Sequence, residues 1–227
     1  MILTLPQVLS PAEVANCRAR LEAAAWVDGK VTAGAQSARA KANLQLPETA
    51  PEARALGDLI LERLGRNPAF ISAALPARVF PPLFNRYEVG MGFGDHIDNA
   101  IRFGGEHSQR YRTDLSCTLF LSEPEDYDGG ELVISGPIGA QAFKLAAGDM
   151  VLYPASTVHR VTPVTRGARW ASFFWIQSMI RSDAQRDLLW ELDQSIIDAR
   201  TRLGDDDETA IRLTGTYHNL LRMWAEA

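Results

Sequence analysis

Three residues with metal-binding side chains stand in an order that suits one metal site: His96, Asp98 and, much later in the chain, His159. Residues two apart on an extended strand point to the same face, so His96 and Asp98 can reach one ion from one strand edge. His159 then comes from a distant strand folded back alongside. Two histidines and a carboxylate, without a thiolate, form the facial triad that holds non-haem Fe(II) and leaves positions open for oxygen and a substrate. The set predicts an iron oxygenase, although an H-x-D pair alone is also typical of a solvated turn.

An arginine, Arg169, is predicted beside this metal site. The segments Ser156–Val164 and Ala168–Gln177 alternate as strands do, and Gly167 in the turn between them can take a positive φ. A hairpin of this kind places His159 and Arg169 on neighbouring strands. The face of the second strand that starts with Arg169 continues with Ala171, Phe173, Trp175 and Gln177. An arginine buried in such a row needs an anionic partner, and its planar fork fits a carboxylate. The alternative is a guanidinium that reaches solvent at the base of the hairpin.

Short motifs spread over most of the chain carry a family resemblance. They are Tyr87-Glu88-Val89-Gly90, Asp95-His96-Ile97-Asp98, Asp128-Gly129-Gly130-Glu131-Leu132, Tyr153-Pro154, Val158-His159-Arg160-Val161 and Arg166-Gly167-Ala168-Arg169 to Gln177. With these motifs the chain resembles the prolyl-hydroxylase-like branch of the Fe(II)/2-oxoglutarate-dependent dioxygenases, and more narrowly the bacterial PKHD-type hydroxylases. The resemblance runs nearly from end to end, and its most specific part is the segment from Arg166 to Arg181.

The resemblance implies roles for the residues singled out above. His96, Asp98 and His159 are the implied iron ligands, and Arg169 is the implied anchor of the distal carboxylate of 2-oxoglutarate. Tyr87 is a candidate contact of this cosubstrate; a buried tyrosine with a satisfied hydroxyl is the alternative. The implied reaction is hydroxylation of an unactivated C–H bond by O2, with decarboxylation of 2-oxoglutarate to succinate and CO2, and with L-ascorbate as a further requirement. The substrate stays open between a small molecule and a protein or peptide.

A function from a different class fits the same metal ligands. A cupin-like barrel that only binds a metal, or senses iron or oxygen, uses two histidines and a carboxylate without turnover. Arg169 separates the two hypotheses, because a metal-binding module needs no clamp for a dicarboxylate. We therefore expect an enzyme.

Composition limits the partners and the compartment. The 227 residues are enough for one domain with a sizeable core plus appendages, and a net charge of -5 gives no basic surface for nucleic acid. The two cysteines, Cys17 in a predicted helix and Cys117 in an apolar strand, form no disulfide framework. No apolar stretch approaches the length of a membrane span. These features predict a cytoplasmic protein without a nucleic-acid or membrane partner.

The expected fold class is α+β, with a mostly β core and additional helices. Short strands punctuated by Gly and Pro predict a sandwich or jelly-roll barrel, and the resemblance narrows this to a double-stranded β-helix (jelly-roll) with N-terminal helices and a C-terminal helical pair. Residues 1–77 are expected to form a helical and loop segment, 78–181 the dioxygenase core and 182–227 the helical tail. The predicted helices run from Ser10 to about Trp26, over Glu52–Leu64 and onward from Ser182. The predicted strands are Leu83–Val89, Thr113–Ser122, Glu131–Ser135, Ala142–Leu145, Met150–Tyr153, Val158–Val164 and Ala168–Ile180.

Two segments keep alternative roles. The stretch Ile101–Arg112, which contains His107, is predicted as a loop beside the iron that is either solvated or in contact with the substrate. The C-terminal helices carry apolar stripes that either cover the barrel or form the contact of a homo-oligomer.

Overall fold

The computed structural model describes residues 1–32, 40–104, 109–136 and 139–226. The helices of these ranges, in chain order, are α1 Pro11–Glu22, α2 Pro51–Gly65, α3 Pro68–Ala74, α4 Asp183–Leu203 and α5 Glu208–Trp224. Helix α1 begins with the predicted capping box, since Ser10 accepts a hydrogen bond from the Glu13 amide and Glu13 accepts one from the Ser10 amide. It ends at Glu22, before the predicted end at Trp26, whose indole instead donates to the Leu21 carbonyl.

An 8-stranded antiparallel sheet forms one wall of the barrel. Its path runs, in spatial order, through β1 Leu3–Leu5, β14 Met150–Pro154, β10 Leu115–Phe120, β17 Arg169–Ser178, β6 Leu83–Tyr87, β4 Leu44–Gln45 and β2 Val27–Asp28, with β5 Pro76–Val79 paired to β17. Strand β17 is 10 residues long, and most of its side chains are buried. It lies at the centre of the sheet, so its residues meet neighbours on both faces.

A 5-stranded sheet forms the facing wall. Its strands, in spatial order, are β13 Gly139–Phe143, β12 Leu132–Gly136, β15 His159–Val161, β7 Gly92–His96 and β3 Lys41–Ala42. Two short pairs complete the strands: β11 Tyr127–Gly129 with β16 Val164–Gly167, and β8 Ile101–Gly104 with β9 Gln109–Arg112. Tyr87 and Phe120 of the larger sheet share an apolar cluster with Leu132, Ile134 and Val161 of the smaller sheet. Two antiparallel sheets packed around a common core confirm the predicted jelly-roll.

The larger sheet separates two environments, because alternate residues of a strand point to opposite faces. On β10, Cys117 and Leu119 belong to the main apolar core, together with residues of α1 and α2 such as Leu21. Ser116 and Thr118 of the same strand line the cavity between the sheets. The helices therefore cover the outer face, and the polar residues of the inner face remain available to a ligand.

The C-terminal helices α4 and α5 pack on the end of the barrel. Leu189 of α4 is fully buried with Leu75 and Ile180, and Tyr217 and Trp224 of α5 pack against the same cluster. Several apolar side chains of these helices nevertheless remain exposed, namely Leu188, Ile197, Leu203, Ile211 and Met223. No helix of the described ranges has the length and apolarity to cross a membrane.

Two expectations from the sequence are wrong. The stretch predicted as a loop contains the strands β8 and β9, because Arg102 and Tyr111, which face each other in this pair, both pack on the ring of Phe80. His159 and Arg169 do not lie on paired strands, since β15 is in the smaller sheet and β17 in the larger. Strand β16 intervenes and pairs with β11, so the chain changes sheet between the two residues. The division of the chain after residues 77 and 181 stays a prediction.

The turn that leads into β17 requires glycine, as predicted. Gly167 has a φ of 69°, and a Cβ atom there would collide with the Asp126 carbonyl. We expect Gly167→Ala to lower the free energy of unfolding by about 1–3 kcal/mol. Gly215→Ala, in open space within helix α5, should instead raise it by about 0.5–1 kcal/mol. Urea denaturation measures both, and a Gly167→Ala protein as stable as wild type would show that the turn tolerates a side chain.

Candidate functional site

The three predicted metal ligands meet at one edge of the cavity. His96 ends β7 and His159 starts β15, and the two residues are register partners. Asp98 lies just beyond the end of β7 and not on the strand itself. The ligand atoms of the three side chains all lie within 4.8 Å of one another. Two nitrogens and one carboxylate oxygen are therefore within reach of a single ion.

Hydrogen bonds fix the orientation of both histidine rings. His96 Nδ1 lies 2.8 Å from the Gly94 carbonyl oxygen, and His159 Nδ1 lies 2.9 Å from that of Thr157. Because a carbonyl oxygen only accepts, each Nδ1 carries the proton and each Nε2 offers a lone pair. Burial, and next the neighbouring His159, lower the pKa of His96 to about 4. At neutral pH the His96 ring is therefore in the neutral form that binds metals.

The carboxylate of Asp98 is held from the opposite sheet. Ser116 on β10 donates a hydrogen bond of 2.6 Å to Asp98 Oδ2, which lies 3.7 Å from His159 Nε2. This contact limits the rotation of the carboxylate beside the histidine nitrogens. The sequence did not point to Ser116, which is one of two polar residues, with Thr118, in a largely apolar strand.

Arg169 is buried at the base of the same cavity. It is the first residue of β17, faces Tyr87 on β6 and is 1% exposed. Its guanidinium carbon lies 5.4 Å from the centre of the Tyr87 ring and 5.2 Å from that of Phe120. Within the described residues, Arg169 Nε and Nη1 have no hydrogen-bond partner. A buried cation with unmet donors calls for an anion, and the cavity it lines also contains the three metal ligands.

Tyrosine hydroxyls add donors to this cavity. Tyr87 is 1% exposed, and burial raises the pKa of its phenol, so the hydroxyl stays protonated. Tyr153 lines the cavity as well, with its ring centre 5.1 Å from that of His159, and burial raises the pKa of its phenol too. Tyr153 belongs to a sequence motif, but the sequence predicts no role for it.

Other polar residues also enter the cavity, and the sequence predicts only Asn85 among them, which shares a strand face with Tyr87. Lys41 on β3, Arg102 on β8 and the amide side chains of Asn43 and Asn85 all line it. Their approach depends on how short strands fold across the mouth of the barrel, which the sequence pattern does not encode. His107, for which two roles were weighed, lies outside the described residues.

Comparison with known proteins identifies the family. Residues 82–177 match the 2OG-Fe(II) oxygenase superfamily, and residues 183–226 match the PKHD-type hydroxylase C-terminal domain. The chain is 61% identical over 227 residues to a PKHD-type hydroxylase of Methylobacillus flagellatus and 58% identical over 226 residues to one of Methylobacterium nodulans, with 100% of each chain covered. The chain belongs to the PKHD-type hydroxylase family. It is therefore an Fe(II)- and 2-oxoglutarate-dependent hydroxylase and not a metal-binding module without turnover.

A solved structure shows the same fold as this PKHD-type hydroxylase. A prolyl hydroxylase from Trichoplax adhaerens, in complex with a hypoxia inducible factor oxygen degradation domain peptide fragment, is similar with a TM-score of 0.56. The likeness covers 82% of this chain and 86% of that chain at 16% identity, so it concerns the fold alone. Family and fold confirm the predicted class and the predicted Fe(II) and 2-oxoglutarate, whereas the need for L-ascorbate stays a prediction.

We expect Ser116→Ala to weaken metal binding about ten- to hundredfold without unfolding the protein, because Asp98 loses the hydrogen bond that positions it. The matched control is Ser156→Ala, which removes an exposed hydroxyl in the turn before His159 and should leave the affinity unchanged. Anaerobic titration with Mn(II), with the free ion followed by electron paramagnetic resonance, measures the affinity. Wild-type affinity in Ser116→Ala would remove Ser116 from this role.

Proposed function

We propose that this hydroxylase converts an unactivated C–H bond of its substrate to an alcohol. One atom of O2 enters the alcohol and the other enters succinate, as 2-oxoglutarate loses CO2. His96, Asp98 and His159 hold the iron, and Arg169 binds the distal carboxylate of 2-oxoglutarate. The observation that carries this proposal is the buried guanidinium of Arg169, whose Nε and Nη1 lack a partner within the described residues and whose cavity contains the three ligands.

The residues of the site fit both groups. Two imidazoles and one carboxylate suit Fe(II), and three protein ligands leave its other positions open. Iron and 2-oxoglutarate, when bound, supply the oxidant that cleaves the C–H bond. The protein supplies the correct positions of the side chains that hold these two groups. The carbonyls of Gly94 and Thr157 hold the two rings, and the Ser116 hydroxyl holds the carboxylate of Asp98.

The base of the cavity favours a carboxylate for electrostatic reasons. Arg169 is surrounded by the rings of Tyr87 and Phe120, which cannot neutralise its charge. A carboxylate bound there forms charge-assisted hydrogen bonds in surroundings with little water, where such bonds are strong. Tyr87, the register partner of Arg169, brings a protonated phenol to the same place. The aromatic rings that close the base also keep water away from the bound anion.

We also propose a cytoplasmic location, because 2-oxoglutarate is a product of central metabolism and Fe(II) requires a reducing compartment. Recovery of the protein mainly from another cell fraction would contradict this.

We further propose that the enzyme forms a homo-oligomer through its C-terminal helices. Leu188, Ile211 and Met223 are 60%, 57% and 73% exposed. Burial of such apolar side chains under a second copy of the chain would lower the free energy of the assembly. Light scattering should show an assembly larger than one chain, and Ile211→Glu should dissociate it. A monomeric wild-type protein at working concentration would leave the helices as a cover of the barrel alone.

Replacement of Arg169 by Met tests the cosubstrate site. We expect Arg169→Met to weaken 2-oxoglutarate binding at least about a hundredfold, since a charge-assisted pair contributes roughly 3 kcal/mol. Metal binding should survive, and the ligand-free protein should become more stable because a buried charge without a counterion is lost. Arg166→Ala, which removes an exposed arginine paired with Asp128, is the control and should change neither property. Anaerobic titration and thermal unfolding give both readouts, and unchanged 2-oxoglutarate affinity in Arg169→Met would exclude Arg169 as the anchor.

A further inference from the structure

A second arginine enters the cavity at the end remote from Arg169. The guanidinium carbon of Arg102 lies 3.9 Å from the centre of the Trp175 ring and 5.4 Å from that of Phe80. Arg169 and Trp175 share the inner face of β17, and the strand advances roughly 20 Å from position 169 to position 175 at ~3.3 Å per residue. A five-carbon diacid held by Arg169 is much shorter than this advance along the strand. The two arginines therefore belong to separate binding positions.

The local structure places Arg102 firmly over Trp175. The ring of Phe80 meets the Trp175 ring edge to face, with centroids 5.5 Å apart. Gly104 lies so close to Phe80 that a Cβ atom on it would collide with the ring. The strand β8 thus approaches the aromatic pair as closely as a backbone can, and Tyr111 on β9 packs on the other side of Phe80. This packing holds Arg102 in place, and no acidic side chain of the described residues forms an ion pair with it.

The side chain of Arg102 has hydrogen-bonding capacity to offer a ligand. Within the described part of the chain, its guanidinium has neither a hydrogen bond nor an ion pair, and its Nε is buried. Stacking on Trp175 occupies the face of the guanidinium but leaves its in-plane N–H donors free. Burial lowers the pKa of Arg102, against the nearby charges of Asp98 and Glu48. Asp98 is committed to Ser116 and to the metal site, and Glu48 is exposed to solvent.

When Fe(II) and 2-oxoglutarate are bound, the cavity keeps an unbalanced positive charge that a substrate can meet. The charges of Fe(II) and Arg169 are matched by Asp98 and by the dianionic cosubstrate, so the positive charge of Arg102 remains. Lys41 adds to it from the same cavity, with its ammonium 5.5 Å from the centre of the Phe93 ring and 5.9 Å from that of Phe173. Burial, and next the charge of Arg102, lower the pKa of Lys41 to about 8. An anion that enters this end relieves the repulsion between the two cations.

We propose that the substrate hydroxylated by this enzyme is a carboxylate, bound through in-plane hydrogen bonds to Arg102, with its apolar part against Phe93, Phe173 and Trp175. This inference rests on the proposed function, in which the iron end of the cavity is occupied by 2-oxoglutarate. Arg102 acts here as a specificity-determining residue. A planar guanidinium matches the two oxygens of a carboxylate, whereas a neutral amide or peptide carbonyl offers one acceptor and no charge.

The test uses two ligands of the same shape, hydrocinnamate and its neutral amide, hydrocinnamamide. Each is titrated into the full-length protein loaded with Zn(II) and saturating 2-oxoglutarate, and binding is measured by ligand-detected nuclear magnetic resonance. We expect hydrocinnamate to bind at least about tenfold more tightly than the amide, because one charge-assisted hydrogen bond contributes about this much to affinity. Arg102→Gln should abolish this preference, and Arg102→Lys should retain part of it. Arg110→Gln, which makes the same charge change at an exposed position of β9, should keep it in full.

Equal binding of the two ligands, binding of neither, or a preference for the amide would overturn the proposal, as would a preference that survives Arg102→Gln. The same titrations with 2-oxoglutarate separate this outcome from a failure of the proposed function. If Arg102→Gln binds 2-oxoglutarate like wild type, the variant is folded and its cosubstrate site is intact. If the wild-type protein fails to bind 2-oxoglutarate at all, the proposed function is wrong, and the dependence of hydrocinnamate binding on Arg102 still decides whether this position binds carboxylates.

Discussion

The charge of Arg169, buried at the base of the cavity, is the constraint on which much of the structure depends. A lone guanidinium is costly to bury, and the described residues offer its Nε and Nη1 no acceptor. Favourable packing in other parts of the structure must offset the free-energy cost of this buried charge. Helices α1 and α2 provide such packing on the outer face of the larger sheet, where they form the main apolar core. The same sheet thus stabilises the fold on one face and presents the proposed anion site on the other.

The geometry of the proposed metal ligands depends on a second constraint, which is the distance between the two sheets. His96 and His159 belong to neighbouring strands of the smaller sheet, but Asp98 is held by Ser116 of the larger sheet. A change in the separation of the sheets would therefore move the carboxylate relative to the two rings. The apolar cluster shared by the two sheets fixes that separation, and in this way packing between the sheets sets the geometry of the three proposed ligands.

The residue types that carry the chemistry were readable from the sequence because their spacing is local. His96 and Asp98 are two apart, Arg169 opens an alternating strand, and Gly167 precedes it at a turn that needs a positive φ. Periodicity shows which face of a strand a residue occupies, but not which strand lies beside it. For this reason the sheet change between His159 and Arg169 was missed.

The same limit explains the residues that the sequence did not reveal. Ser116, Lys41 and Arg102 reach the cavity from three different strands, and only the folded arrangement brings them together. A single polar residue in a strand, or a lysine in a short segment, carries no local signal of that kind. The sequence predicts a loop where strands β8 and β9 form, because the contacts that hold Arg102, to Phe80 and Trp175, are distant in sequence.

We infer that His96, Asp98 and His159 together with Arg169 form one site for Fe(II) and 2-oxoglutarate. The most direct test of this shared site is anaerobic addition of 2-oxoglutarate to the Fe(II)-loaded protein, with the visible charge-transfer absorption of the complex as the readout. We expect the absorption to appear with one iron per chain in the wild-type protein and to be lost in His96→Ala, Asp98→Ala and His159→Ala, none of which should bind iron at wild-type affinity. Wild-type iron affinity and an unchanged absorption in all three variants would place the metal elsewhere and contradict the assignment.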